Sequence, residues 1–589
     1  MASCPLRLRV RWNDCCAPDT RQPVDATNQS ASKPAILHGP SLEQEHDGPL
    51  TLPAYLRTVT QMYASREVLV FREEARIVRW TYAELWERAM QVARALLALD
   101  CGKDTRIGIL MTNRPEWLAA VFGASIAGCV AVPLNTFSTE PELEYLLNTS
   151  AVSVLLAERH VAKKDFAAML IALDPVLRSS GTRSLRFPHL RHFALIGEVP
   201  AGSAFSSWQT FLDRAVCIPP ELALRTADAV RPTDSGAILF SSGSTATPKG
   251  IVNSQRGIAI PLWRWRRLSA LHGEVRCWTP NGFFWSGNFA CALGATLTAG
   301  GCLLLQSIFD PAEALDLMTR ERVTFPYAWP HQWKRVMEAS NWGSSDLSSV
   351  HYLDPDQPLS SHPSIHLKGW REPSFSYGST ETFTITTGYP ADARREIMQG
   401  AHGYALGGNT IKIVDPVSGE LLMRGEHGEI AVKGPTLMIG YLGVPPEVAF
   451  DANGFYRTGD SGWIDELDRL HFEGRLSTVI KTGGANVSPL EVDAVLESFA
   501  GVKLARCVGV PDDALGERIV ACVVPAENAE VLPERLRAFA ATKLASYKLP
   551  RQFLFLAESE LQQTASAKIK PAELRDLALR KLAETTAPS

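Results

Sequence analysis

Apolar residues recur at helical spacing early in the chain: Leu85, Ala89, Val92, Leu96 and Leu99 fall three or four apart, and the run stops at Cys101-Gly102. Thr81 followed by Glu84 supplies a capping box just ahead of it, so the pattern predicts one amphipathic helix. The texture then alternates. An apolar stretch at 106–111 reads as a strand, Pro115-Glu116 opens a helix, 130–133 is a second strand, a helix starts at Glu140, and 152–156 is a third strand. Strands separated by helices predict a parallel α/β layout. A further strand at 236–240 runs into a loop of small residues, and apolar segments punctuated by glycine continue to about residue 440.

Beyond Arg475 the pattern becomes that of a compact unit: strand 479–481, helix 489–499, strands 505–510 and 519–524, helix 533–543, then a basic tail. The predicted fold class is α/β, with a large N-terminal domain of parallel and mixed sheets over 49–475 and a small α+β C-terminal domain over 476–589. The hinge is expected at Arg475-Leu476-Ser477. Residues 1–48 are polar and aperiodic and read as a loose extension, with order beginning near Leu52.

At 589 residues with 46% hydrophobic and 21% charged positions, the chain is too long for one core and too apolar for general disorder. A formal charge of -4 leaves no basic excess for nucleic acid or anionic lipid. An anionic ligand must be met by local groups. Eleven cysteines without a CxxC pair argue against a disulfide framework and for a reducing, cytoplasmic setting. No run of about 18 apolar residues predicts an integral membrane segment, and MASCPLRLRVRWNDCC lacks the apolar core of a secretion signal.

Candidate chemistry starts at Ala237-Ile-Leu-Phe-Ser-Ser-Gly-Ser-Thr-Ala-Thr-Pro-Lys-Gly250. A strand feeding hydroxyls, Gly243 and then Lys249 offers N–H donors, O–H donors and a cation to a polyphosphate. A Walker loop is excluded, because Pro248 stands where its second glycine belongs and Gly250 replaces its Ser/Thr.

SSGSTATPKG resembles the phosphate loop of the adenylate-forming superfamily, which includes acyl-CoA synthetases, peptide-synthetase adenylation domains and beetle luciferase. The other signatures follow in order: Tyr377-Gly-Ser-Thr-Glu381, GEHGEIAVKG with Gly440-Tyr441, Tyr456-Arg-Thr-Gly-Asp460, Gly474-Arg475 leading to IKTGGANVSPLEVD, and Thr564-Ala-Ser-Ala-Lys568. Together they span about residues 50 to 575, and the chain most resembles the acyl-CoA synthetases. The resemblance implies that Ser241, Ser242, Gly243, Ser244, Thr245 and Lys249 hold the ATP phosphates. It places Tyr377 against adenine, Gly378, Ser379 and Thr380 around the nucleotide, and Glu381 on Mg²⁺. Asp460 and Arg475 would meet the ribose, a carboxylate being able to take two O–H donors. Lys568, Thr245 and Glu381 are the implied catalytic residues. Gly483 and Gly484 would admit pantetheine of CoA when the mobile small domain swings about its hinge.

Two departures stand out. Tyr352-Leu-Asp-Pro-Asp-Gln-Pro358 replaces the glycine turn that relatives carry beneath adenine, and Ala567 replaces the glycine before the lysine. The segment Pro280–Asn288 resembles the acyl-pocket motif, with Trp285 at the carboxylate position; Trp285, Asn288 and Gly378 are the expected contacts to the acid. Trp263, Trp265, Trp278, Trp285, Trp329, Trp333 and Trp342 crowd one region, which suggests a bulky apolar acid.

The expected activity is therefore an ATP-dependent acid–thiol ligase joining a hydrophobic carboxylic acid to CoA through acyl-AMP. The cofactors and co-substrates are ATP, Mg²⁺ and CoA, the partners are small molecules, and the state is monomer or homodimer. Two alternatives stay open: loading of a carrier-protein thiol, and a catalytically weak nucleotide- or acyl-binding protein.

Overall fold

The computed structural model describes residues 33–73, 76–181, 183–241, 248–373, 375–391, 393–476, 480–482, 485–487, 489–512, 515–527, 529–544, 548–560 and 571–586. The fold is the expected α/β arrangement. Its largest sheet has eight strands, in the spatial order Phe205–Ser207, His192–Ile196, Val154–Glu158, Arg106–Leu110, Val130–Pro133, Ser235–Ser241, Lys249–Ser254 and Gly440–Tyr441. The first six are parallel and the last two pair antiparallel. Val154–Glu158 and Val130–Pro133 are buried along their whole length, as a sheet covered on both faces requires.

The helix Tyr82–Leu97 begins at the predicted capping box: Glu84 N donates to Thr81 Oγ1 at 3.2 Å and Thr81 N donates to Glu84 Oε2 at 2.7 Å. It packs across Pro115–Ile126, in which every residue but Glu116 is buried. Gly123 makes that crossing possible, because a Cβ there would lie 2.6 Å from Val92 Cβ.

A second sheet holds Glu67–Glu73 between Arg76–Thr81 and Cys302–Leu305, continuing through Arg276–Trp278 to Phe325–Pro326. A third, antiparallel throughout, orders Ile36–His38, Thr410–Val414, Gly428–Lys433, Tyr456–Ile464 and Leu470–Arg475. Beyond it, Ile480–Thr482, Ala485–Val487, Val502–Asp512, Gly516–Pro525 and Gln552–Phe555 form a further sheet flanked by Pro489–Glu497 and Pro533–Ala541. Its clusters, from Ile480 to Leu582, are built from its own residues.

The loose extension is corrected for residues 33–48. Ile36–His38 adds a strand to the third sheet, and Ala35 and Leu37 are buried beneath it. Glu45 then enters the interior, where Oε1 lies 3.1 Å from Arg264 Nε, and Oε2 accepts from Gly407 N. Asp47 accepts from Trp263 Nε1 at 2.8 Å. A three-residue strand among polar neighbours shows no periodicity, and its partner lies far along the chain. Removing one partner of a buried ion pair costs about 3–5 kcal/mol. A chain starting at residue 49 is therefore expected to melt several degrees below one starting at residue 33, measured by calorimetry. Equal melting temperatures would contradict the role given to Glu45.

Among the described residues no helix is long and apolar enough to cross a membrane, and no group of three or more His, Cys, Asp or Glu could hold a metal ion. The described cysteines are free thiols.

Candidate active site

The strands Ser235–Ser241 and Lys249–Ser254 pair in a register that sets Ser241 opposite Lys249. Ser242, Gly243, Ser244 and Thr245 join them and lie outside the described residues, as do Gly483, Gly484, Ala567 and Lys568. Tyr145 holds the end of this loop, donating from its hydroxyl to Pro248 O at 3.0 Å. Lys249 is exposed, its Nζ 5.1 Å over the Tyr441 ring.

Tyr441 links this loop to Glu381. Its hydroxyl donates to Glu381 Oε1 at 2.8 Å and lies 2.9 Å from the Tyr456 hydroxyl. Burial and the Glu381 charge push the Tyr441 phenol well up, so it stays a donor. Glu381 is 9% exposed, and among the described residues its second oxygen takes no hydrogen bond. The donor set fits one carboxylate holding Mg²⁺ together with waters and phosphate oxygens.

The turn carrying Glu381 is shaped by Gly378, where a Cβ would sit 1.9 Å from Thr384 O, so only glycine fits. Phe383, one turn later, holds φ at +62°, a strained value for a bulky residue. Ser379 N donates to Thr382 Oγ1 at 3.0 Å, while the buried Ser379 Oγ has no partner among the described residues. An orphan hydroxyl beside Thr380 at a cavity wall is what a phosphate oxygen would satisfy.

Tyr377 and Asp460 meet next. The Tyr377 hydroxyl donates to Asp460 Oδ2 at 2.6 Å, and its ring packs on Phe472 at 5.4 Å between centroids. Arg475 stands directly across from Asp460 in the hairpin of Tyr456–Ile464 and Leu470–Arg475, with Nε 2.9 Å from Oδ1. Asp460 is 3% exposed, and its Oδ1 is ion-paired with Arg475 but takes no hydrogen bond of good geometry among the described residues. Burial raises its carboxyl; the Tyr377 hydroxyl and the Arg475 charge oppose the rise. Such an acceptor suits a vicinal diol.

Beside the Tyr377–Glu381 turn opens a cavity of about 590 Å³, walled by Trp265, Tyr327 and Trp329, with Ser286, Gly287, Cys291, Gly378, Ser379, Thr380 and Ile385 around it. Gly378 lines it. Trp285 is not among the residues that line it; its ring lies 4.9 Å from that of Trp329 between centroids, and its neighbours Ser286 and Gly287 line the space. Asn288 is also displaced from the predicted role: Nδ2 donates to Asn281 O and Oδ1 accepts from Thr279 at 3.1 Å, so it braces the loop. Of the crowded tryptophans, Trp278 and Trp333 are fully buried core, and only Trp265 and Trp329 line the cavity.

The segment without the glycine turn has its own order. Asp354 accepts from Arg371 Nη1 at 2.9 Å, from Glu372 N at 3.1 Å and from Asp356 N at 3.0 Å. This fixes Gln357 and Glu372 at the cavity wall, and the motifs gave no sign of either.

Residues 56–442 match the family profile of the AMP-binding enzyme, and residues 491–568 match that of the AMP-binding enzyme C-terminal domain. The feruloyl-CoA synthase of an Amycolatopsis species is 30% identical over 500 residues, covering 84% of this chain and 93% of that one. The mitochondrial medium-chain acyl-CoA ligase ACSF2 of Homo sapiens is 26% identical over 559 residues, covering 90% and 88%. Among solved structures, the anthranilate CoA ligase AuaEII in complex with anthranoyl-AMP shares the fold with a TM-score of 0.72 at 22% identity, over 91% of this chain and 99% of that one. ATP-bound MatB from Rhodopseudomonas palustris does so with 0.71 at 24%, over 89% and 98%. With both profiles matched in order, the chain belongs to the AMP-binding enzyme family, the adenylate-forming superfamily of the acyl-CoA synthetases.

Proposed function

We propose that this protein is an acid–CoA ligase whose acid is bulky and apolar. The observation that carries this reading is the aromatic-walled cavity of about 590 Å³ beside the Tyr377–Glu381 turn. A space of that size bounded by Trp265, Tyr327 and Trp329 favours a flat or extended apolar body over a two-carbon acid. Relatives named feruloyl-CoA synthase and medium-chain acyl-CoA ligase support the same class.

In the first step a carboxylate oxygen of the acid forms a bond to the α-phosphorus of ATP. The bond from that phosphorus to the bridging oxygen breaks, and pyrophosphate leaves with the electron pair. Asp460 accepts the ribose hydroxyls, and Ser379 and Thr380 donate to phosphate. Lys249 meets the phosphates from the loop it ends. Mg²⁺ at Glu381 neutralises phosphate charge when bound. Ser241, Ser242, Gly243, Ser244 and Thr245 complete the phosphate loop in this reading, and Lys568 meets the charge that spreads over the α-phosphoryl oxygens. In the second step the CoA sulfur attacks the acyl carbon, the C–S bond forms, and the C–O bond to AMP breaks. Residues 476–589 act here as a mobile domain turning about Ser477, with Gly483 and Gly484 beside the pantetheine. CoA is preferred over a carrier-protein thiol because the curated relatives cited above carry CoA in their names.

Pyrophosphate release with acetate, octanoate, 3-phenylpropenoate and a fused-ring acid tests the substrate class. Each buried methylene contributes about 0.8 kcal/mol, so kcat/KM is expected to favour the larger acids over acetate by at least about 100-fold. A preference for acetate would overturn it.

A further inference from the structure

The cavity is apolar on most sides, yet Gln357 and Glu372 stand in its wall. They also line a smaller adjoining space with Tyr327, Tyr352 and Trp370. Glu372 is partly buried. Arg371, next in sequence, turns away to Asp354 at 2.9 Å and Asp356 at 3.2 Å. Gln357 Nε2 reaches Glu372 Oε2 at a long 3.3 Å, and among the described residues no donor meets Oε1. Burial and the nearby Asp354 charge together push the Glu372 carboxyl up. A carboxylate oxygen that faces a cavity and takes no donor from the protein is open to a donor that a ligand brings.

The position of this carboxyl favours the acid over the nucleotide as that ligand. After burial, the Glu372 charge is what raises the Cys291 thiol, and it also acts on the Tyr327 hydroxyl; both side chains belong to the cavity wall. Asp460, the ribose acceptor, is not among the residues that wall this space.

We infer that Glu372 selects the acid: the substrate is a carboxylic acid with an apolar, flat body that also bears a hydrogen-bond donor, an O–H or N–H, which Glu372 Oε1 accepts. Trp265, Tyr327 and Trp329 hold the body, and Gln357 steadies the carboxylate. This inference rests on the ligase reading above and names its substrate more closely. A donor to a charged acceptor contributes about 1.5–3 kcal/mol, so an analogue lacking it is disfavoured about 10- to 100-fold.

The test compares 4-hydroxy-, 4-amino- and 4-methyl-3-phenylpropenoic acids, which differ only in the donor, by kcat/KM for pyrophosphate release. The unaltered protein is expected to favour a donor-bearing acid over the methyl acid about 10- to 100-fold. Glu372→Leu is expected to abolish or reverse that ratio. Glu372→Gln, which keeps an acceptor oxygen and the shape, should retain part of the preference, and it stands in for the leucine variant should that one fail to fold. An unchanged ratio in the variants, or a change confined to the KM for ATP, would overturn the inference and leave the ligase reading standing. Absence of pyrophosphate release with every acid in the unaltered protein would instead remove the ligase reading, and the inference with it.

Discussion

Replacing Lys568 with alanine is expected to slow acyl-adenylate formation about 100- to 1,000-fold, while thioester formation from supplied acyl-AMP and CoA changes little. The asymmetry follows from the charge each step develops. Attack on the α-phosphorus spreads negative charge over the phosphoryl oxygens, and a cation held against them lowers that barrier; loss of one preorganised donor costs about 3–4 kcal/mol. Thiol attack on the acyl carbon develops its charge elsewhere. Lys570, two residues on, supplies the control: Lys570→Ala should leave both half-reactions within about twofold. Stopped-flow measurement of each half-reaction separates the cases. Equal loss in both steps, or a comparable loss at Lys570, would remove Lys568 from the role proposed for it.

The second large effect is expected at Asp460. Asp460→Ala should raise the KM for ATP about 100-fold, since two hydroxyl donors to one carboxylate contribute about 1.5 kcal/mol each. It should also lower stability by about 1–3 kcal/mol, because the buried Tyr377 hydroxyl loses its 2.6 Å acceptor and Arg475 its 2.9 Å partner. Asp460→Asn keeps one acceptor oxygen and should fall between the two in nucleotide affinity. Calorimetric titration with ATP and thermal unfolding read the two effects apart. An Asp460→Ala protein that binds ATP normally would show that Asp460 has no ribose to meet.

The signature residues were legible because each motif is local and its chemistry depends on spacing. Their convergence follows from pairings that sequence order conceals. Asp460 and Arg475 lie 15 positions apart and meet because the hairpin register sets them opposite each other. Tyr441 gave no hint of its bond to Glu381, since the two join only when Gly440–Tyr441 pairs with Lys249–Ser254 at the edge of the large sheet. The acyl wall was harder to read. Trp285 carries the expected bulk, but it precedes the short turn Ser286–Asn288, and the local backbone direction presents Ser286 and Gly287 to the space instead. Glu372 is a lone acid in a polar stretch, indistinguishable from a solvated residue until Asp354 fixes its backbone. The strand Ile36–His38 escaped notice for a related reason, three residues being too few to show an alternation.

The most direct test of the central claim is product analysis by mass spectrometry after incubation with ATP, Mg²⁺, CoA and 4-hydroxy-3-phenylpropenoate, with AMP and pyrophosphate quantified alongside. The expected result is an acyl-CoA thioester formed in equal amount to AMP and pyrophosphate, with acyl-AMP accumulating when CoA is left out. ADP as the nucleotide product, or no acid-dependent turnover of ATP with this or any acid of the panel, would contradict it.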